Sequence, residues 1–268
     1  MHVGDFFNCA ADGVAQLDDI LYVNCGNDFA ISKIVTYNPV SLFPQNQIPL
    51  VGATSNLNDI AAGIDCKCLY VVDQRGNTLW RVNVTSNGYV VDQFVNVTSP
   101  TTLSVSVDGR VFVSSSMYNT LWIFSPQGTL LRTINMIPFK FLQHVVERST
   151  YSMIVSQAET YSIVSEVEES GLMKTLHTYG TTVSGKEPGE LNYPQHLALD
   201  RSGDGWLFVA DSSNRRVVML DAQFKLITTW EMPIDNPHKP YRVSYDSASR
   251  FLYVNDRNFV LQFHVLVN

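Results

Sequence analysis

Charge is scarce in this sequence. Charged side chains make up 16% of the 268 residues, against roughly 25% in an average soluble protein. Long apolar runs are missing too: no stretch approaches the ~18 residues a membrane-spanning helix needs. The opening MHVGDFFNCAADG has neither a basic start nor an apolar core, so no signal peptide is expected. There is no heptad run for a coiled coil and no cysteine/histidine array for zinc fingers. A Gly-x-Ser-x-Gly elbow, a phosphate loop and a dinucleotide fingerprint are all lacking, which removes the usual hydrolase and nucleotide-binding readings.

Positive charge is limited as well. Lys and Arg total 18 against 25 Asp and Glu, for a net charge of −7. Residues 1–134 carry 6 basic and 10 acidic side chains, and residues 135–268 carry 12 and 15. Neither half is a basic arm, so the chain as a whole offers no electrostatic footprint for nucleic acid. The four cysteines, Cys9, Cys25, Cys66 and Cys68, are too few for a disulfide scaffold. Free, mostly buried thiols in the cytoplasm are the expectation. The sequons at Asn83 and Asn96 argue instead for an extracellular location.

What the sequence does have is a period. Six short runs end in an apolar or aromatic residue followed by Val, centred on Tyr22, Tyr70, Phe112, Ile154, Phe208 and Tyr253, with spacings of 48, 42, 42, 54 and 45. The tetrapeptide at Asn77–Trp80 recurs at Asn119–Trp122. Repeats of this length, each with four short strands and turn residues between them, predict an all-β, six-bladed β-propeller of four-stranded antiparallel blades. The expected blades are approximately 11–52, 53–98, 99–137, 138–180, 190–232, and 233–268 with 1–10. The sixth repeat lacks a fourth strand, and residues 3–9 form an unassigned strand ahead of the first. The ring is therefore expected to close by the N-terminal strand completing the last blade.

The fifth repeat carries a recognisable wording: Tyr179-Gly180, Gly185, Pro188 to Pro194, Leu197 to Asp200, Phe208 to Asp211, and Asn214-Arg215-Arg216-Val217. It resembles the NHL repeat, specifically over about residues 140–232, where the chain is similar to the C-terminal propeller of tripartite-motif-like proteins. Repeats 1, 4 and 6 lack the Asn-Arg-Arg-Val element. The resemblance implies a binding module for proteins or single-stranded RNA. A few relatives are enzymes, a peptidyl-amidating lyase and calcium-dependent lactonases among them.

The first strands place six residue pairs at one mouth of the central channel: Asp12-Gly13, Asn58-Asp59, Thr101-Thr102, Gln143-His144, Gln195-His196 and Tyr241-Arg242. The turns after the second strands bring Arg75, Tyr118, Glu159, Arg215 and Arg257 to the same face. From these, Asp59, Arg75, Tyr118, His144, Gln195, His196, Arg215, Tyr241, Arg242 and Arg257 are the expected binding residues. His144 and His196 are read as channel-lining hydrogen-bonding residues, with a metal site as the alternative. No cofactor, metal or catalytic residue is assigned. The expected function is that of a non-catalytic scaffold that recognises a protein partner, with no membrane contact and as a monomer. The alternatives are single-stranded RNA binding and a metal-dependent lyase or lactonase. Asp73, Asp211 and Asp256 are expected to fix hairpins, and Trp80, Trp122, Trp206 and Trp230 to pack between blades.

Overall fold

A computed structural model describes residues 11–26, 32–136, 139, 141–158, 162–168, 173–233 and 239–266, and the backbone of 2–5. Its strands form six four-stranded antiparallel sheets around a channel. Helix is limited, among the described residues, to one 3-10 turn at Ser212–Asn214. The inner strands of blades 1 to 6 are Ala11–Leu17, Leu57–Gly63, Thr102–Val105, Leu142–Ser149, Pro194–Leu199 and Arg242–Asp246. In blades 1 to 5 the chain then runs outward strand by strand. Blade 6 is different. Its outer strand is His2–Asp5, paired antiparallel with Phe259–His264 in the register His2 to Gln262 through Asp5 to Phe259. The ring is thus closed as the missing last strand predicts; residues 6–9 of the expected closing strand lie outside the described residues.

Burial follows position in the blade. The second strands, such as Cys68–Asp73 and Leu207–Asp211, are buried at every residue because neighbouring blades cover both faces. The repeat landmarks Tyr22, Tyr70, Phe112, Ile154, Phe208 and Tyr253 are all fully buried. Outer strands such as Pro44–Pro49 and Leu130–Asn135 each bury one residue. The core is a series of clusters at the seams between blades. Trp80 packs on the blade 1/2 seam, Trp122 on the 2/3 seam, and Trp206 with Trp230 on the 5/6 seam.

The turn aspartates also act as expected. Asp73 accepts hydrogen bonds from the Thr54 and Gly76 amides, and Asp256 from those of Asn258 and Phe259. Asp211 does more. It accepts from the Asn192 amide, Asn214 Nδ2 and Arg216 Nε, while Arg216 also donates to the Lys186 and Glu190 carbonyls and Asn214 to the Gly185 carbonyl. The NHL-like wording therefore has a local physical meaning. It straps the loop before blade 5 onto that blade's central turn. Gly185 fits this strap because a Cβ there would sit 1.9 Å from the Glu190 carboxylate.

One expectation is overturned. None of the described cysteines is a free thiol. Cys66 and Cys68 are bonded to each other, and Cys25 is disulfide-bonded as well. The tight turn between the first two strands of blade 2 brings the Cα atoms of Cys66 and Cys68 to 5.2 Å, within the usual disulfide range. Gly63 leaves the room, since a Cβ at that position would lie 2.7 Å from Cys66 Sγ. Spacing alone hid this, because Cys-x-Cys is too close for a zinc knuckle yet permits a hairpin bridge.

Candidate functional site: the channel mouth

The inner strands begin irregularly. In blades 1, 2, 4 and 5 the register with the second strand slips at Ala11/Gly13, Leu57/Asp59, Leu142/His144 and Pro194/Leu197. Such bulges re-aim side chains, and three of these slips fall at or around Asp59, His144 and His196. Those residues, with Arg242, are 1, 2, 7 and 3% exposed. They are the floor of the mouth rather than its surface.

Each of these groups reaches another blade. Asp59 Oδ2 accepts from the Leu103 amide of blade 3 at 3.0 Å. His144 Nδ1 accepts from the Leu197 amide of blade 5 at 3.2 Å, and His196 Nδ1 from the Val243 amide of blade 6 at 3.4 Å. Arg242 reaches from blade 6 to blade 2, donating from Nε to Asp59 Oδ1 and from Nη2 to the Asn58 carbonyl. A buried charge is tolerated only when paired and hydrogen-bonded, and Arg242 is both.

Three potential metal donors, from Asp59, His144 and His196, lie within 4.8 Å of one another. Their hydrogen bonds argue for another role. With Nδ1 accepting, His144 carries its proton on Nε2, which donates to the Leu103 carbonyl at 3.1 Å. Neither ring nitrogen then has a lone pair to offer. His196 stacks on His144 with ring centroids 3.8 Å apart and turns Nε2 toward Asp59 Oδ2 at 3.4 Å, a long contact. Burial, reinforced by the neighbouring His196, pushes His144 well below its ordinary 6.5. Burial likewise lowers His196, against the pull of Asp59. Burial would raise Asp59, but Arg242 and His196 outweigh it and hold the carboxyl at about 2. Both imidazoles are neutral and Asp59 is charged. The arrangement is a polar knot that ties blades together.

Above this floor lies the accessible part. Arg75, Tyr118 and Arg257 are exposed, and Gln195, Arg215 and Tyr241 are half-buried. The Tyr241 ring is flanked by guanidinium carbons of Arg242 at 4.0 Å and Arg257 at 3.9 Å from its centroid. Arg215 sits in the left-handed region and donates to the Pro233 carbonyl. Glu159 lies outside the described residues. A cavity of about 440 Å³ opens between blades 5 and 6, with Gln195, Tyr241 and Arg257 in its wall. The sequence also missed four of its lining residues, Tyr193, Ser212, Ser213 and Lys239. Lys239 precedes the inner strand of blade 6, in a stretch without strand pattern, and nothing in the period points to it.

No protein-family model matches the chain, and no curated protein does. Solved structures do, in fold. Hydrazine synthase of Kuenenia stuttgartiensis superposes with a TM-score of 0.70 at 12% identity, over 98% of this chain and 97% of that one. The virginiamycin B lyase of Staphylococcus aureus gives 0.65 at 11% identity, over 100% and 89%. The Swd1 β-propeller domain of Myceliophteria thermophila gives 0.62 at 10% identity, over 96% and 84%. Their likeness is one of propeller architecture. A lyase and a propeller domain named for no activity are matched about equally well, so resemblance of fold does not choose between chemistry and binding.

Proposed function

We propose that this chain is an NHL-type propeller that recognises a protein partner through the channel mouth. The observation that carries this reading is the division of the mouth into two layers. The buried layer, Asp59, His144, His196 and Arg242, is committed to inter-blade hydrogen bonds. The outer layer leaves Arg75, Tyr118 and Arg257 exposed, the last of them in the wall of a cavity, on a rigid frame of strands. Tyr and Arg are the residue types that anchor protein interfaces. The NHL-like strap around Asp211 and Arg216 supports the family part of the reading.

Single-stranded RNA is the rival, because exposed Tyr and Arg also suit base stacking and phosphate contacts. Photo-crosslinkers placed at Arg75, Tyr118 and Arg257, and at Tyr151 as a control in another exposed turn, distinguish the two in a native extract. The expected result is nuclease-resistant protein adducts from the mouth positions and not from Tyr151. Adducts that disappear on RNase treatment, with binding that falls steeply as salt rises, would replace this reading with RNA recognition.

A further inference from the structure

The cavity between blades 5 and 6 has an unbalanced wall. Its donors are uncommitted: among the described residues, the hydroxyls of Ser212 and Ser213, the Gln195 amide and Lys239 Nζ make no side-chain hydrogen bond. Its one acidic wall residue, Asp256, is engaged by the Asn258 and Phe259 amides. Arg257 completes the set. Its side chain is 53% exposed, with its nearest acid, Asp12 Oδ1, at 3.9 Å. A cavity rich in donors and in cationic groups, whose acceptor is already occupied, is complementary to an anion.

Arg257 is also held in place. Its backbone sits at φ 79°, a conformation non-glycine residues seldom adopt. Asn255, fully buried, accepts the Arg257 amide on Oδ1 at 2.6 Å and the Tyr241 amide on its carbonyl at 2.7 Å. The Ala11 amide bonds the Arg257 carbonyl. Tyr241 then supports the guanidinium from beneath. Backbone strain maintained at a cavity rim by buried partners is a feature of binding sites.

We propose that this cavity receives a carboxylate side chain from an acidic segment of the protein partner, with Arg257 and Lys239 as the charged contacts and the Ser212 and Ser213 hydroxyls as additional donors. The proposal rests on the mouth being a protein-binding face. A volume of about 440 Å³ lies in the range of ordinary ligand pockets and exceeds what a single carboxylate needs, so neighbouring residues of the segment enter as well.

The test uses three fluorescein-labelled probes: a Glu-rich nonapeptide, its counterpart with every Glu replaced by Gln, and a uridine-rich single-stranded RNA. Anisotropy titrations are made with the whole chain and with Arg257→Gln, Lys239→Gln and, as a control in an exposed turn away from the mouth, Lys67→Gln. The expected outcome is binding of the Glu peptide at least about tenfold tighter than of the Gln peptide, the loss of one charge-assisted contact. Arg257→Gln and Lys239→Gln each weaken it by a similar factor, and Lys67→Gln leaves it nearly unchanged. Equal binding of the two peptides overturns the proposal, as does tight Glu-peptide binding indifferent to both cavity substitutions. RNA bound more tightly than the Glu peptide, with the same dependence on Arg257, also overturns it and assigns the cavity to phosphate. If mouth crosslinks to protein persist while the Glu peptide fails, the cavity assignment falls and the mouth reading stands. If the crosslinks are absent, the mouth reading itself falls.

Discussion

Acidification should destabilise this propeller well above the pH at which ordinary carboxylates titrate. Below 6.5 an unfolded chain protonates His144 and His196, whereas burial holds both neutral in the folded ring. The unfolded state then binds more protons, so stability falls as pH falls. Each histidine can cost up to about 1.4 kcal/mol per pH unit over that range. Asp12 works in the opposite direction. Burial, opposed by Arg257 and Arg242, raises its carboxyl to about 6 from 3.8, so the folded state takes up that proton first and gains stability between about pH 6 and 4. Asp211, also raised by burial, works in the same sense as Asp12, so the net loss between pH 7 and 5 is smaller than two histidines alone would give and at most on the order of 2 kcal/mol. Urea unfolding at half-unit steps over that range measures it as a falling midpoint at constant slope. Replacing both histidines by Asn keeps an acceptor near Nδ1 and should flatten or reverse the trend, because the raised carboxyls of Asp12 and Asp211 then act unopposed by the histidines. A wild-type midpoint that is flat or rises from pH 7 to 5 would refute the neutral, buried histidines on which the reading of the channel floor depends.

Three further outcomes follow from the same contacts. Asp59→Ala leaves Arg242 buried without its carboxylate and strips the Leu103 amide of its acceptor, so thermal or urea unfolding should show a loss of about 3–5 kcal/mol. Arg216→Ala, which cuts the strap to Asp211, Lys186 and Glu190, should destabilise by about 3 kcal/mol and raise protease cleavage within residues 182–192. The Cys66–Cys68 bridge closes a ring of only three residues, and chain entropy assigns such a ring less than about 2 kcal/mol. A Cys66→Ser/Cys68→Ser variant should therefore melt within a few degrees of the native chain by calorimetry.

The architecture was readable because propeller physics leaves a periodic trace. Every blade needs one strand buried on both faces, and that strand's central residue, from Tyr22 through Tyr253, marks the repeat. Closure was readable from a count of strands. The mouth was readable as a set of positions, since Asp59, His144, His196 and Arg242 all fall at the same point of their repeats. What those side chains do there was not. A bulge of one residue before Asp59 or His144 decides whether the side chain faces solvent or a neighbouring blade, and a bulge has no composition of its own. The donor-rich cavity escaped for a different reason. Ser212, Ser213 and Lys239 become neighbours only through the packing of blade 5 against blade 6, and Arg257 owes its pose to Asn255 and Tyr241.

The pairing of His2–Asp5 with Phe259–His264 has a consequence for synthesis. As the chain leaves the ribosome, its first strand emerges roughly 250 residues ahead of its only partner, and at about 5–20 residues per second it waits for tens of seconds. Blades 1 to 5 can each form from contiguous chain during that interval. Blade 6 cannot, and neither can the Arg242–Asp59 bridge, which joins sites 183 positions apart. Until the last strand is free, nascent blades 1 and 5 each present an uncovered apolar face where blade 6 will sit, as well as an unpaired leading strand. That places the greatest demand for chaperone protection at the end of translation, and it makes late ribosome pausing more hazardous for this chain than early pausing.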